Sequence, residues 1–457
     1  VPEELTAADR RLGKASFFTW NIYRRFGPDY YQKWMEFTAR RMDDWGLNTV
    51  ANWSDPNLGR TAGVPYVATL SGWGFEAKTM GMPDVYSPDY EAMVDAAAAR
   101  QCEPLGDDPF LLGYFVGNEP PWPGREMELV RVILEGDDTP MRKALQEFLK
   151  EGDTPERRKA FVYDTYTRFI TLVNKSIKNH DPNHLNLGLR FGGDPPEDLV
   201  KASASVGFDV FSLNIYNYFA DHGRLDRIAE MTGLPIIIGE FHFGTIERGL
   251  SPGLRQTISQ EERGAAYRYY VENAVAHPNL IGTHWFQWWD QPSTGRGDGE
   301  NYNIGMVDVT DRPYMELVDA ARETHARLYE IHSGHRSTDH VAREALRRGL
   351  AEALVRRVVR QQPHAVAAVE DLVRRGAQQA GTTALDARAT ERQARKDGLD
   401  VGMGQPGRRA ELTRTGRHGT RRGCSARPPR STRPPCCPRA APGTQSGCAA
   451  RPSPSRR

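Results

Sequence analysis

Residues 111–120, LLGYFVGNEP, and residues 234–243, LPIIIGEFHF, are the stretches that decide the fold. Each is a short apolar run that ends in a glutamate, Glu119 in the first and Glu240 in the second. Runs that are apolar on both faces are typical of strands buried in a parallel sheet. Because α/β barrels carry their functional groups at the C-terminal ends of the strands, we expect both glutamates to lie at one mouth of a barrel.

Around these two stretches, short β-rich runs alternate with longer amphipathic runs from about residue 29 to 336, which is the pattern of repeated βα units. Strands are predicted at 47–53, 64–70, 111–118, 184–191, 210–216, 235–241 and 281–288. Helices are predicted at 30–45, 90–101, 158–179, 225–231 and 260–276. The predicted fold class is α/β, with a (β/α)8 TIM barrel over residues 15–336.

The segment Ser16–Tyr23, SFFTWNIY, is the internal candidate for an eighth strand, since aromatic residues favour strands. If it is strand one, the two glutamates follow strands four and seven. The alternative is a barrel that lacks its first strand, with this segment as a loop or helix. Residues 121–157 are predicted to be a helical insertion beside Glu119 that shapes a cleft.

The overall charge of +1 conceals a division of the chain. Residues 404–457 carry 13 Arg against one acid, Glu411, which leaves a net charge of −11 on the first 403 residues. An acidic body gives no support to nucleic-acid binding. Of the five cysteines, Cys102 alone lies before residue 404, so we expect no disulfide framework in the folded part. No apolar run is long enough for a membrane-spanning helix, and we expect no signal segment before the fold.

The ends of the chain differ in composition from the predicted barrel. Residues 1–14 are interpreted as a lead-in, and residues 337–403, rich in Ala, Arg, Glu and Gln, are predicted to form a helical extension. Residues 404–457 are dominated by Arg, Pro, Gly, Ser and Thr and are predicted to be disordered. This tail could bind polyanions, although a dispensable extension is the favoured interpretation.

Two carboxyl groups at the mouth of a barrel suit the hydrolysis of a glycosidic bond. One protonates the leaving oxygen and the other meets the anomeric carbon; at a separation of about 5–5.5 Å the second acts as nucleophile and configuration is retained. We assign Glu119 as the general acid/base and Glu240 as the nucleophile. A lone glutamate after a buried strand is more often a surface or ion-paired group, so the hypothesis depends on the pair.

Polar and aromatic residues near the same strand ends are candidate ligands for a sugar. Asn118 could bond a sugar hydroxyl, Tyr216 could donate its phenol to Glu240, and Arg190 would favour the charged form of a nearby carboxyl. Tryptophan rings stack on pyranoses, and about half of the six candidates are expected to be core residues instead. The tryptophans are Trp53, Trp73, Trp122, Trp285, Trp288 and Trp289, and the other hydroxyl-binding candidates are Asn52, Asp55, Asn214, His242, His284 and Gln287.

Several other classes of site are not indicated. His242 and His284 do not have the HxH or HExxH spacing of metal ligands, so no metal site is predicted. The chain has no P-loop, no Rossmann glycine fingerprint at a strand-to-helix turn and no GxSxG elbow. These absences count against kinases, dehydrogenases and serine hydrolases.

Several segments resemble the β-agarases of glycoside hydrolase family 50, which are clan A retaining enzymes. Between about residues 15 and 335, the matching segments are 45–49 (WGLNT), 51–55 (ANWSD), 113–119 (GYFVGNE), 238–244 (IGEFHFG) and 295–305 (GRGDGENYNIG). The last two are fairly specific, whereas Asn-Glu-Pro occurs across the clan.

The resemblance implies a (β/α)8 barrel that cleaves β-1,4 galactosidic bonds of agarose, with Glu119 as acid/base, Glu240 as nucleophile and no cofactor. It also implies a secreted or periplasmic protein whose partner is a polysaccharide, with no nucleic-acid or membrane partner. A first barrel strand before Phe17, found in the family, would be absent here. Two alternatives stay open: another clan A glycosidase, such as a β-galactosidase or β-glucanase, and a carbohydrate-binding pseudoenzyme. The sequence does not predict the oligomeric state.

Overall fold

The computed structural model describes residues 16–74 and 79–338. The described strands are β1 (Tyr66–Thr69), β2 (Leu111–Asn118), β3 (Leu185–Gly192), β4 (Phe211–Asn214), β5 (Ile236–Phe241) and β6 (Leu280–Trp285). The described helices are α1 (Phe17–Phe26), α2 (Tyr30–Trp45), α3 (Pro56–Ala62), α4 (Tyr90–Cys102), α5 (Glu126–Glu135), α6 (Pro140–Phe148), α7 (Pro155–His180), α8 (Glu197–Ser203), α9 (His222–Thr232), α10 (Gln260–Val275), α11 (Met315–His325) and α12 (Leu328–His332). All of them lie in the first of two compact units of the chain, Val1–Thr382.

The six strands form one parallel sheet in which the order along the chain is the order in space. At least one helix lies between each strand and the next, as parallel pairing requires. Side chains from four strands and from the residue just before β4 pack together in an inner cluster, which consists of Val67, Phe115, Leu187, Val210 and Ile237. Because side chains from β1 and β5 meet in this cluster, the sheet curls around it as part of a barrel does.

The outer face of the sheet is covered by the helices, and the larger part of the core lies there. The longest helix, α7, buries one side, with Phe169, Ile170 and Val173 all nearly inaccessible to solvent. Its start follows from the sequence: Thr154 accepts a hydrogen bond from the Arg157 amide, and Pro155 occupies the first helical position. The sheet is thus held between two apolar layers, which leaves its strand ends to carry polar groups.

Most of the predicted elements are confirmed. The predicted strands from 64–70 onward correspond to β1 to β6, and the five predicted helices correspond to α2, α4, α7, α9 and α10. The insertion predicted at 121–157 contains α5 and α6. The parallel α/β class of the fold is therefore confirmed.

Two strand predictions are wrong. Residues 17–23 lie in the helix α1, the alternative left open for this segment, and its residues Phe18 and Ile22, one turn apart, are both buried. Phe18 stacks on Trp289 with ring centroids 4.2 Å apart. The predicted strand 47–53 is reduced to one parallel bridge between Val50 and Tyr66, because the chain then turns and Trp53 adopts a φ of 65°. Aromatic and β-branched content thus favoured a strand where packing selects a helix.

Some predictions fall outside the described residues. These are the lead-in 1–14, the tail 404–457, and the helical extension 337–403 apart from its first two residues. None of the described helices combines the length and the apolar character that crossing a membrane requires.

Candidate active site

The register of the sheet brings the predicted site residues to one edge. Asn118 on β2 is opposite Arg190 on β3, and Asn214 on β4 is opposite Glu240 on β5. Glu119 follows the last residue of β2 directly. Since parallel strands end on the same side of a sheet, both glutamates lie at the C-terminal mouth, as the sequence predicted.

Glu240 is nearly buried and is held by two hydrogen-bond donors and one ion pair. The indole N–H of Trp53 donates to Oε1 at 2.9 Å, and the Tyr216 hydroxyl donates to Oε2 at 2.5 Å. The guanidinium of Arg190 forms an ion pair with Oε1 at 2.9 Å. Only 6% of Glu240 is exposed, so this carboxylate is fixed in position by protein groups rather than by water.

Arg190 is wholly buried beneath the site. Its Nη1 donates to the Gly239 carbonyl at 3.1 Å, and its guanidinium lies 5.0 Å from the ring centroid of Trp53 and 5.3 Å from that of Phe115. Burial lowers the pKa of Arg190, and the negative charge of Glu240 opposes that shift. The arginine thus supplies a positive charge whose field is little screened by solvent.

The glycine before Glu240 leaves room for this arrangement. A Cβ atom at Gly239 would lie 2.7 Å from Cδ of Arg190 and 2.9 Å from Oδ1 of Asn214. Both distances are shorter than real Cβ contacts, so any other residue there would displace a side chain of the site. The glycine that precedes Glu240 in the sequence is therefore explained by the lack of space for a side chain at position 239.

Glu119 has a different environment. Its amide donates to the Arg190 carbonyl at 2.8 Å, and its Oε1 accepts a hydrogen bond from Nδ2 of Asn214 at 2.9 Å. Solvent reaches the carboxyl, but the surrounding protein partly desolvates it, and this is the main reason why the pKa of Glu119 is raised. The charges of Glu240 and Glu300 raise this pKa further, whereas Asn214 and Arg190 oppose the rise.

The two carboxyl groups are therefore unequal. Glu240 accepts two hydrogen bonds and forms an ion pair with Arg190, whereas Glu119 has one amide donor and a raised pKa. Pairs of acids whose environments separate their proton affinities are suited to a division between an acid and a nucleophile.

Asn118 and Asn214, both predicted as sugar ligands, are hydrogen-bonded to each other. Besides bonding Glu119, Nδ2 of Asn214 donates to Oδ1 of Asn118 at 3.1 Å. Oδ1 of Asn214 is buried and has no hydrogen-bond partner among the described residues. Asn214 thus contacts the acid directly, which a strand prediction alone could not reveal.

His242 and His284 are buried and neutral. Burial is the main cause that lowers the pKa of His242 to about 3, with a contribution from Arg263, and that of His284 to about 4, with a contribution from Arg190. Nε2 of His242 accepts a hydrogen bond from the Leu254 amide at 2.9 Å. Among residues 16–74 and 79–338 there is no group of three or more side chains arranged to hold a metal ion.

Most of the predicted tryptophans lie in the core or pack against it. Trp73 is fully buried and donates its indole N–H to the Val116 carbonyl at 2.9 Å, so it has no surface for a sugar. Trp122 is likewise buried. Trp285 donates to the Ile304 carbonyl at 3.0 Å and packs against the ring of Phe241. Trp288 stacks on Trp45 and Trp289 stacks on Phe18, and both pack against the core. More of the six tryptophans are therefore structural than the expected half.

Asp55, Asn52 and Gln287 bond to the protein itself. Oδ1 of Asp55 accepts the Asn57 amide at 2.9 Å, so that Asp55 is the N-cap of α3, and its Oδ2 accepts the hydroxyl of Tyr31 at 2.6 Å. Asp55 thus has a capping role, and its contact with a sugar stays a prediction. The buried Asn52 accepts the hydroxyl of Thr69. Gln287 donates to the backbone carbonyl of Trp289 at 2.8 Å.

The residues near the site that the sequence-based assignment left out lie in the segment 291–303. Oε2 of Glu300 accepts a hydrogen bond from Gln291 at 2.8 Å and is 3.1 Å from Nη2 of Arg296. The ring of Tyr302 lies 6.0 Å from that of His242. The sequence did show a family-like motif here, GRGDGENYNIG at residues 295–305. The spacing of its residues did not indicate which strand end the segment lies against.

Comparison with known proteins relates the chain to a group of polysaccharide-degrading enzymes. No protein-family model matches it. β-Agarase A of Vibrio sp. (strain JT0107) is 32% identical over 379 residues, which cover 69% of this chain and 38% of that protein. The chain is a relative of the family 50 β-agarases. β-Agarase B of the same organism is also 32% identical, over 374 residues, with 69% of this chain and 39% of that protein covered.

A solved structure of an exo-β-agarase shows the same relation in three dimensions. It superimposes with a TM-score of 0.62 at 31% identity, covering 70% of this chain and 50% of that one. The chain spans about two fifths of the length of its curated β-agarase relatives. The similarity therefore concerns a part of those enzymes.

Proposed function

We propose that the chain is a retaining glycoside hydrolase that cleaves β-1,4 galactosidic bonds of agarose or a related galactan by double displacement. The observation that carries the proposal is the unequal pair at one mouth of the sheet. Glu119 bonds Asn214, Glu240 pairs with Arg190, and the charge of each carboxyl acts on Arg190. The similarity to β-agarases supplies the class of substrate.

In the first step, Glu240 attacks the anomeric carbon while Glu119 donates its proton to the leaving oxygen. The raised pKa of Glu119 favours the protonated form that this step needs. As the bond between the sugar and Glu240 forms, the glycosidic bond breaks and the leaving sugar departs as an alcohol. Tyr216 and Arg190 hold the attacking carboxylate in one orientation, which lowers the entropic cost of reaching the transition state.

In the second step, water releases the sugar from Glu240. Glu119, now ionised, takes a proton from the water as it attacks the anomeric carbon. The ester bond to Glu240 breaks, and its carboxylate returns to the donors of Arg190, Tyr216 and Trp53. Glu119 is protonated again at the end of the cycle.

We also propose that the described sheet is part of a (β/α)8 barrel. Val50 supports this, because its amide donates to the Pro65 carbonyl at 2.9 Å and its carbonyl accepts the Val67 amide at 3.0 Å. These two bonds are a parallel pairing that places a further strand position before β1. A seventh position in a curled parallel sheet brings the sheet closer to closure.

Agarose is a polymer that does not cross a membrane intact, so we propose that the protein acts outside the cytoplasm, as a secreted or periplasmic enzyme. Cell fractionation tests this point. Agarose-degrading activity that stays with the cytoplasmic fraction of the native organism would contradict it.

Reducing-sugar release from agarose, laminarin, mannan and an aryl β-galactoside tests the proposed function. Release from agarose that disappears in Glu240→Gln and persists in the control Glu91→Gln, an exposed residue of α4, supports it. Release from laminarin or the aryl galactoside without release from agarose would indicate another clan A activity. Binding of agarose without release from any substrate would indicate a pseudoenzyme.

A further inference from the structure

Trp53 occupies an unusual position beside the predicted nucleophile. It is 57% exposed, yet its indole N–H donates to Oε1 of Glu240 at 2.9 Å. One face of the ring lies against the guanidinium of Arg190, 5.0 Å from the ring centroid. The backbone of Trp53 has a φ of 65°, a left-handed conformation that bulky residues rarely adopt. An exposed ring is thus held by its edge and by one face, at a strained position of the chain.

The donors around Glu240 are distributed unequally between its two oxygens. Trp53 and Arg190 both contact Oε1, whereas Tyr216 alone contacts Oε2. A carboxylate offers about four lone-pair positions, two on each oxygen. Because Oε1 is contacted by two protein groups and Oε2 by one, we take Oε2 as the oxygen that is more open to an anomeric carbon.

We propose that Trp53 is a positioning residue for Glu240: its N–H holds Oε1 and thereby presents Oε2 to the sugar. This inference rests on the proposed function and deepens it. The exposed part of the same ring offers a surface for the sugar, so one side chain sets both the plane of the sugar and the orientation of the nucleophile. A tryptophan that acted only as a stacking platform would not need the bond to Glu240.

The two roles of Trp53 are separated by substitution. Trp53→Phe keeps an aromatic ring but removes the N–H, whereas Trp53→Ala removes both. Loss of a hydrogen bond to a charged group corresponds to a change by a factor of about 10 to 100 in a rate or equilibrium constant. We therefore expect kcat of Trp53→Phe on agarose to fall by about tenfold or more, while its KM stays within a factor of about three because stacking is retained. Trp53→Ala should lose kcat and also raise KM.

Trp20→Phe is the matched control, because Trp20 is a half-buried residue of α1 and contacts Tyr23 rather than the carboxylates. It should leave both kinetic constants unchanged. A Trp53→Phe variant whose kcat equals that of the wild type, with a change in KM alone, would overturn the proposal and leave Trp53 as a platform.

A second measurement does not depend on turnover. The emission of Trp53, obtained as the difference between the wild type and Trp53→Phe, should change in Glu240→Gln, because that substitution removes the charge beside the indole N–H. The same substitution should leave the emission of the Trp53→Phe protein unchanged. If no substrate is hydrolysed, the proposed function fails while this comparison still tests the contact. An equal effect of Glu240→Gln on the emission in both backgrounds overturns the inference.

Discussion

Asn214 on β4 donates its side-chain amide to Oε1 of Glu119 at 2.9 Å and so connects the middle of the sheet to the predicted acid. This bond stabilises the ionised carboxyl and lowers the pKa of Glu119, against the larger effect of desolvation, which raises it. The pKa of Glu119 therefore depends on opposing effects of its neighbours, and substitution of a single neighbour should shift it.

Replacement of Asn214 should shift that balance upward. In Asn214→Ala the ionised form of Glu119 loses its amide donor, so the pKa of Glu119 rises and the alkaline limb of the kcat/KM profile moves to higher pH. The maximal rate should fall by about tenfold or more, because a donor beside the reacting groups is lost. A pH series on agarose measures both effects, with the exposed Asn48→Ala as control. Movement of the alkaline limb to lower pH would contradict the assignment.

Removal of the charge on Glu300 should shift the balance downward. The negative charge of Glu300 raises the pKa of Glu119, so Glu300→Gln lowers that pKa and moves the alkaline limb to lower pH. Asp298→Asn is the matched control: Asp298 lies in the same segment and also pairs with Arg296, but it is exposed and is not among the main causes that shift the pKa of Glu119. Equal profiles for the two variants would show that Glu300 does not act on the acid.

A pair of strand glycines tests the packing beneath Glu240. Gly239→Ala places a methyl group 2.7 Å from Cδ of Arg190, whereas Gly282→Ala on β6 meets its nearest neighbour, Ile237, at 3.4 Å. We expect Gly239→Ala to reduce kcat by about a hundredfold, since small displacements of a positioned group are costly, and Gly282→Ala to stay near the wild type. Circular dichroism shows whether both variants fold. Full activity of a folded Gly239→Ala would mean that Arg190 is not needed in its observed position.

Loss of the acid should affect substrates according to their leaving groups. Glu119→Ala should retain most of its kcat/KM on an aryl galactoside with a strongly acidic phenol, because the first step then needs little protonation, and lose about a hundredfold or more of its kcat/KM on agarose. Steady-state kinetics on a series of aryl leaving groups measures this dependence. Equal losses of kcat/KM on all substrates would argue against Glu119 as the proton donor.

The fold could be predicted where the sequence pattern is local. The strand β2 and the helix α2 have the bounds predicted from residues 111–118 and 30–45. A strand buried on both faces gives a continuous apolar run, whereas a helix buried on one face gives apolar residues at intervals of three and four. Ser16–Tyr23 failed because aromatic residues suit a strand and a packed helix equally well. Only contacts distant in sequence, such as that of Phe18 with Trp289, decide between the two.

The site could be predicted to the level of residue type and strand end, which placed Glu119, Glu240, Arg190 and Tyr216 at one mouth. The burial and the contacts of individual side chains could not be predicted, because they depend on which face of a helix or strand is covered by the rest of the protein. Trp73 and Trp53 both lie at or just after the end of a predicted strand, yet the first is fully buried and the second is 57% exposed. The capping role of Asp55 agrees with the sequence Asp55-Pro56, since an aspartate followed by a proline is typical of the start of a helix.

The most direct test of the central claim is proton NMR of the first product formed on agarose oligosaccharides. A nucleophilic Glu240 and an acid/base Glu119 predict that the new reducing end appears first as the β anomer and then mutarotates, and that Glu240→Gln yields no product. First appearance of the α anomer would show inversion, and would contradict a covalent intermediate on Glu240.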